Sequence, residues 1–424
     1  MSREMKDSGV EWIGEIPEDW DVKQLRTYFS RRINKNTHLQ ENNLLSLSYG
    51  RIIRKNIDTK EGLLPESFDG YNIVENGDIV IRGTDLQNDH RSLRTGLVTE
   101  RGIITSAYMT LKPKENVNSA YYHYLLHCYD MTKVFYSMGG GLRQSLDYWE
   151  FIRMPVLHPT DREQEEIISY IKTKCTAIDT AIEKTKKSIE KLEEYKKAVI
   201  TKAVTKGIDP NAKMKDSGVE WIGEIPENWA VMKTKYLFRI LKRIAGQEGF
   251  DVISITQKGL KIKDINSNEG QIAENYSNYQ FVFPGDFAMN HMDLLTGWVD
   301  LSTLTGVTSP DYRVFHKINE SVNDDYYKYV FQSLYFNKVY YGLAQGVAEV
   351  GRKRLQAPAF KELKLPCPPA DEPAKIAAYI KDKCMAIDAL IGKKQTAINK
   401  WEEYKKSLIY YAVTGKIDCR NEVI

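Results

Sequence analysis

Tyr170–Val204 reads YIKTKCTAIDTAIEKTKKSIEKLEEYKKAVITKAV, and its spacing decides the fold. From a start near Thr160, apolar residues fall at Ile167, Ile171, Cys175, Ile178, Ile182, Ile189, Leu192, Val199 and Ala203. Thr185 and Lys196 take the two polar steps. Alternating steps of three and four define one seam of a coiled coil. The same seam returns 209 residues later at Ile376, Ile380, Cys384, Ile387, Ile391, Ile398, Trp401, Leu408 and Ala412. Its polar steps are Lys394 and Lys405. One such pattern describes an ordinary amphipathic helix. Two in one register point to an intramolecular pair.

A second repeat shares that offset. MKDSGVEWIGEIPEDW (Met5–Trp20) returns as MKDSGVEWIGEIPENW (Met214–Trp229), with Asp19 against Asn228 as the one difference. Two blocks with one offset mean a tandem duplication, each copy carrying a short segment, a globular domain and a long helix. The middles diverge but echo each other. GYNIVENGDIVIR (Gly70–Arg82) parallels NYQFVFPGDFAMN (Asn278–Asn290), each with Gly-Asp at a turn. TGLV at Thr95 parallels TGWV at Thr296, and YYHYLL at Tyr121 parallels YYKYVF at Tyr326. LLSLSYG (Leu44–Gly50) and VISITQKG (Val252–Gly259) read as strands ending in turns.

The predicted fold is α+β, with two similar globular domains separated by two long antiparallel helices. The divisions are 1–20, a repeated segment; 21–159, domain 1; 160–206, the first helix; 207–229, the second repeated segment; 230–368, domain 2; 369–415, the second helix; and 416–424, a tail. Thr160 with Glu163 has capping-box spacing, and Asp371-Glu372-Pro373 is an acidic start with proline in the first turn. Both helices run into glycine turns, at Gly207 and Gly415. If the seams pair, each helix ends near the other's start. That predicts a pseudo-twofold near Ile182–Thr185 and Ile391–Lys394 and a circular closure, with a spacer of about 60 Å.

Composition is that of an ordinary globular protein. There is no apolar run of membrane length and no signal peptide. Five scattered cysteines without C-x-x-C suggest neither a disulfide framework nor a zinc site, and a cytoplasmic location fits. The net charge of +3 permits nucleic-acid binding without arguing for it.

Catalytic motifs are missing from the sequence. Gly392-Lys393 and Gly415-Lys416 lack the rest of a phosphate-binding loop. No Asn-Pro-Pro-aromatic motif is present. Pro310-Asp311 with Glu362-Leu363-Lys364 matches a nuclease pattern at the level of chance. His123 and His127 stand one helical turn apart without a third ligand, and Gly139–Gly141 reads as a loop. Polar binding chemistry remains. In domain 1 the candidates are Arg31, Arg32 and Lys35; Arg51 with Arg54 and Lys55; Arg82, Arg91 and Arg94; and Arg143 with Gln144. In domain 2 they are Lys242 and Arg243; Gln257, Lys258 and Lys261 with Lys263; and Arg352, Lys353 and Arg354. Such side chains neutralise phosphates and hydrogen-bond base edges, although any one cluster also fits a solvated face.

The KDSGVEWIGEIP block before each domain, the proline-rich runs MPVLHPTDREQ (Met154–Gln164) and LPCPPADEP (Leu365–Pro373), the Ile-Asp heptad helix and the closing EEYKK together resemble the specificity subunit of type I restriction-modification systems. The resemblance covers essentially the whole chain. It departs where Glu163-Gln164 becomes Glu372-Pro373. It implies a non-catalytic subunit in which each target recognition domain reads one half of a bipartite, asymmetric site on double-stranded DNA. The helices would set the spacing and dock two methyltransferase subunits, with motor-nuclease subunits joining them. S-adenosylmethionine, ATP and magnesium would sit on those partners, with no cofactor on this chain. A coiled-coil scaffold without sequence reading, and an enzyme acting on DNA alone, are the rival readings.

Overall fold

A computed structural model describes residues 3–58, 65, 67–89, 91–138, 145–265, 273, 275–344 and 353–420. The chain forms two units. Unit 1 is Met1–Thr185 with Thr396–Ile424, and unit 2 is Lys186–Gln395. Each unit therefore holds one globular domain and a length of both long helices.

Unit 1 begins with β1 (Met5–Asp7), β2 (Glu15–Pro17), β3 (Asp21–Gln24), β4 (Phe29–Arg31), β5 (Leu45–Ser48), β6 (Arg51–Arg54), β7 (Asn72–Val74), β8 (Ile79–Ile81), β9 (Thr95–Leu97), β10 (Gly102–Ile104) and β11 (Met109–Pro113). Then come α1 (Ser119–Met131), α2 (Val134–Ser137), α3 (Tyr148–Phe151), β12 (Pro155–His158) and the long α4 (Asp161–Lys206). A four-stranded antiparallel sheet runs β4-β11-β8-β9, flanked by the pairs β5-β6, β7-β10 and β3-β12.

Unit 2 repeats this order with β13 (Met214–Asp216), β14 (Glu224–Pro226), β15 (Ala230–Lys233), α5 (Thr234–Leu237), β16 (Phe238–Leu241), β17 (Ile253–Thr256), β18 (Gly259–Ile262), β19 (Gln280–Val282), β20 (Phe287–Met289), β21 (Val299–Leu301), β22 (Gly306–Thr308) and β23 (Arg313–Lys317). It continues through α6 (Asp324–Phe336), α7 (Val339–Gly342), α8 (Ala357–Glu362), β24 (Lys364–Cys367) and the long α9 (Pro373–Val413). Its central sheet, β16-β23-β20-β21, has the same order.

Local chemistry explains the shared elements. Asn118 and Asn323 cap α1 and α6 by accepting from the amides of Tyr121 and Tyr326. The strands are short and fully buried on the core side, as in Ile79–Ile81 and Phe287–Met289. The register corrects one sequence parallel. Thr95 pairs with Ile81, and Val299 pairs with Met289, so TGLV is equivalent to the stretch beginning at Val299 and not to TGWV.

The long helices pair antiparallel within each unit. In unit 1 Asp179 meets Lys405 at 2.6 Å, while Val413 at the end of α9 accepts from the Tyr121 hydroxyl beside the start of α4. In unit 2 Lys196 meets Asp388 at 2.7 Å, and Val204 accepts from Tyr326. Ile171, Cys175, Ile178, Ile182, Ile380, Cys384, Ile387 and Ile398 are buried, Ile380 and Cys384 as part of the core cluster of unit 2, whereas Ile189, Leu192 and Ile391 are half-buried. Trp401 is 40% exposed, less covered than a seam position requires.

The chain ends close as the repeat predicts. A Cβ on Gly415 would lie 2.5 Å from Pro17 and 3.0 Å from Trp20, and one on Gly207, less tightly, 3.3 Å from Trp229. Both glycines adopt φ +71, the left-handed stop of a helix.

Candidate nucleic-acid interface

The first turn of each long helix is locked by a carboxylate. The Trp20 indole donates to Glu163 at 2.8 Å, and Arg3 bridges Glu163 to Asp19. Thr160 caps the Glu163 amide, but the Glu163 side chain faces Trp20 and Arg3, so the predicted box forms only by half. In unit 2 the Trp229 indole donates to Glu372 at 2.8 Å and Asn228 donates to the same carboxylate at 3.0 Å. Ala212 stands where Arg3 would be, and Asn228 supplies the second donor to the carboxylate in place of the Arg3 bridge. Gln164 donates to Pro159 and has no counterpart at Pro373.

Several candidate cations prove structural. Arg94 is fully buried, and its guanidinium donates to the carbonyls of Arg82, Thr84, Asp85 and Asp89 and to the Tyr136 hydroxyl. Every donor is spent on holding the 82–94 loop, which removes Arg94 from the interface. Arg32 pairs with buried Asp78, and Arg243 with buried Asp286. These are the aspartates of the two Gly-Asp turns. Burial raises the Asp78 carboxyl pKa and Arg32 opposes that rise.

Other candidates share one corner of each domain. The Leu146 amide donates to Gly83 and the Leu355 amide to His291, which marks the equivalent place in the two folds. In domain 1 this corner holds a cavity of about 240 Å³ lined by Arg31, Thr84, Tyr108, Leu146, Tyr148 and Trp149. The Arg31 guanidinium lies 5.2 Å over the Tyr148 ring, and Trp149 is 66% exposed. Arg82 pairs with Asp89 at the edge of the 82–94 loop, and Arg91 is exposed on that loop. Lys35 donates to Gly70, away from the corner.

In domain 2 the same corner carries other groups. His291 is surrounded by Arg313, Arg354 and Lys242, and burial with these charges pulls its pKa down to about 4. Arg313 is 95% buried, as its 5% exposure shows, with one donation to Leu355 and the Phe360 ring at 4.7 Å. Burial lowers its pKa to about 10. Lys242 donates to Pro310, Lys353 lies 4.1 Å over the Tyr341 ring, and Arg354 is exposed. His291 and Arg313 were not among the sequence candidates, and neither was Trp149. The one available signal was Arg313 at a strand start where domain 1 has Met109. Arg143, Gln144 and Arg352 lie outside the described residues, as does Gly139–Gly141.

Arg51, Gln257, Lys258 and Lys261 sit on the β5-β6 and β17-β18 hairpins, and all four are exposed. The His123 and His127 rings lie 5.8 Å apart, tilted by 32°, and His127 faces the β5-β6 tip. Among the described residues no group of three metal-ligating side chains forms, and no helix is long and apolar enough to cross a membrane.

This is a duplicated α+β domain with a helix pair, each copy presenting a basic corner. No protein-family model matches the chain. Two curated relatives from Methanocaldococcus jannaschii match along its length. The type I restriction enzyme MjaVIII specificity subunit is 25% identical, covering 96% of this chain and 95% of its own. The putative type I restriction enzyme MjaX specificity subunit is 24% identical, covering the same shares. A solved chain from a type I restriction-modification assembly aligns over 95% of this chain and 99% of its own, with a TM-score of 0.66 at 11% identity. Across almost its whole length the chain is similar to type I restriction enzyme specificity subunits.

Proposed function

We propose that this chain supplies DNA sequence specificity to a type I restriction-modification complex. Each domain reads one half of a bipartite site through its basic corner and the adjoining hairpin. One observation carries this reading: the same corner of one fold is cationic in both domains but built from different side chains. Domain 1 offers Arg31, Arg91 and Trp149, and domain 2 offers the exposed Lys242 and Arg354 beside buried Arg313 and half-buried His291. Equal scaffolds with unequal readers predict an asymmetric site. Phosphate contacts position the duplex, and arginine contacts to base edges specify it.

The long helices fix half-site spacing and dock two methyltransferase subunits. Tyr195, Met385, Leu390, Trp401 and Tyr404 leave apolar surface on these helices, between 40% and 56% exposed, of the kind that partner proteins cover. Motor-nuclease subunits complete the complex, and S-adenosylmethionine, ATP and magnesium belong to those partners.

Methylome sequencing of cells carrying the cognate methyltransferase subunit, with and without this chain, tests the proposal. A bipartite asymmetric motif modified only with the chain supports it. An assembled complex that modifies no chain-dependent motif leaves the scaffold reading.

A further inference from the structure

The β5-β6 hairpin turns through Tyr49 and Gly50, at φ +46 and +77, between the paired residues Ser48 and Arg51. Two successive left-handed residues make the tight hairpin turn that asparagine or glycine normally opens. A tyrosine there is strained, and its side chain gives nothing back to the fold, since Tyr49 is 86% exposed.

The turn itself is held rigid. A Cβ on Gly50 would lie 3.0 Å from the His127 ring and 3.2 Å from Leu93, so the tip is pressed against α1 and the 82–94 loop. Behind the tip, Leu47 and Ile52 close over Gly96, where a Cβ would lie 2.7 Å and 2.8 Å from them. Arg51 stands beside the tyrosine with its side chain 76% exposed, 4.0 Å from the Asp179 carboxylate of α4. The loop under the tip is the one that bears Arg82 and Arg91, so the tip continues the basic corner. Unit 2 repeats the placement. Gln257 and Lys258 form the β17-β18 turn, and Gln257 donates to Thr296 on the equivalent loop at 3.4 Å.

We propose that the Tyr49 ring stacks on a base of the half-site read by domain 1, which makes the β5-β6 tip a specificity element. This rests on the DNA-reading function proposed above. A rigid exposed ring beside an arginine suits insertion at a base step, which unstacks that step and kinks the duplex so that a base face opens to the ring. In domain 2 the amide of Gln257 occupies the equivalent place and acts by hydrogen bonding.

The test uses the full chain assembled with its methyltransferase subunits. The probes are a duplex carrying the motif found by methylome sequencing and an unrelated duplex of equal length. Tyr49→Asn fits the turn, and Tyr49→Phe keeps the ring. The expected result is about tenfold weaker binding of the motif duplex by Tyr49→Asn, within the five- to hundredfold range of base–aromatic stacking. Its thermal midpoint stays at or above the parent's, and Tyr49→Phe binds like the parent. Parental affinity in Tyr49→Asn overturns the inference. Loss of the methyltransferase subunit, or a lowered midpoint, in that variant also overturns it, assigning the tip to protein contact or folding. A parent complex that does not distinguish the two duplexes overturns the DNA-reading function as well.

Discussion

Trp20 and Glu163 are 143 residues apart in sequence and 2.8 Å apart in space, and their hydrogen bond ties the first repeated segment to the first turn of α4. Arg3 depends on the same carboxylate. Glu163→Ala leaves the buried indole N–H without its acceptor and the shielded Arg3 guanidinium with Asp19 alone. We expect a loss of about 3 kcal/mol, read by denaturant unfolding, with Glu163→Gln costing about half as much. Unchanged stability in Glu163→Ala would contradict the lock.

Asp179–Lys405 and Lys196–Asp388 are one contact made twice, since each residue stands 209 positions from its repeat mate. All four side chains keep some solvent access, so each pair contributes only about 0.5–1 kcal/mol. Asp388→Lys alone places two ammonium groups together and weakens unit 2. Combining it with Lys196→Asp should restore the parent's stability, and a double-mutant cycle with no coupling would rule the pair out.

Arg94 and Arg91 are three residues apart and opposite in role. Arg94→Ala leaves the carbonyls of Arg82 and Thr84 without a donor and strips one from those of Asp85 and Asp89, and should cost about 3 kcal/mol or more in folding stability. Arg91→Ala and Arg31→Ala should leave the thermal midpoint within a degree or so. Each should instead weaken binding to duplex DNA and reduce the slope of log K against log salt by about one if it meets a phosphate. Midpoint losses in those two variants would place them with Arg94.

Acid should weaken unit 1. Burial lowers His123 to about 3, helped by His127, and lowers His127 to about 4, helped by Lys405. Both titrate near 6.5 when unfolded. Between pH 6.5 and 4 the unfolded chain therefore binds more protons, and stability is lost as pH falls through that window. Asp130 opposes this, because burial raises it to about 6 and the folded form takes up its proton first. Two imidazoles against one carboxyl leave a net loss of roughly 1–2 kcal/mol from pH 6.5 to 5. His127→Gln, which copies Gln332 of unit 2, should flatten the curve measured by unfolding at stepped pH.

The repeat, the seam and the helix ends were legible because they are periodic or local. Thr160, Gly207 and Gly415 stand at the helix ends they mark. Trp20–Glu163 was not legible, since nothing at either position names a partner so far along the chain. Arg94 and Arg91 look alike in sequence because burial is set by the loop closing over one of them. Trp401 fits the heptad by count, but at the half-exposed edge of a two-helix pair the count does not settle which way an indole turns. The basic corners were half legible: Arg31 and Arg354 were named, while Arg313 and His291 acquire meaning only when β20 and β23 lie side by side.

Unit 2 is one uninterrupted stretch, Lys186–Gln395, whereas unit 1 needs the last 29 residues, Thr396–Ile424, to complete it. Translation therefore delivers the two in reverse. The domain made first waits, with Trp20 and Pro17 uncovered, until the ribosome has released the turn at Gly415 that seals them. A chain cut before Gly415 thus injures the domain made first, and a chaperone would find its substrate in the older of the two units.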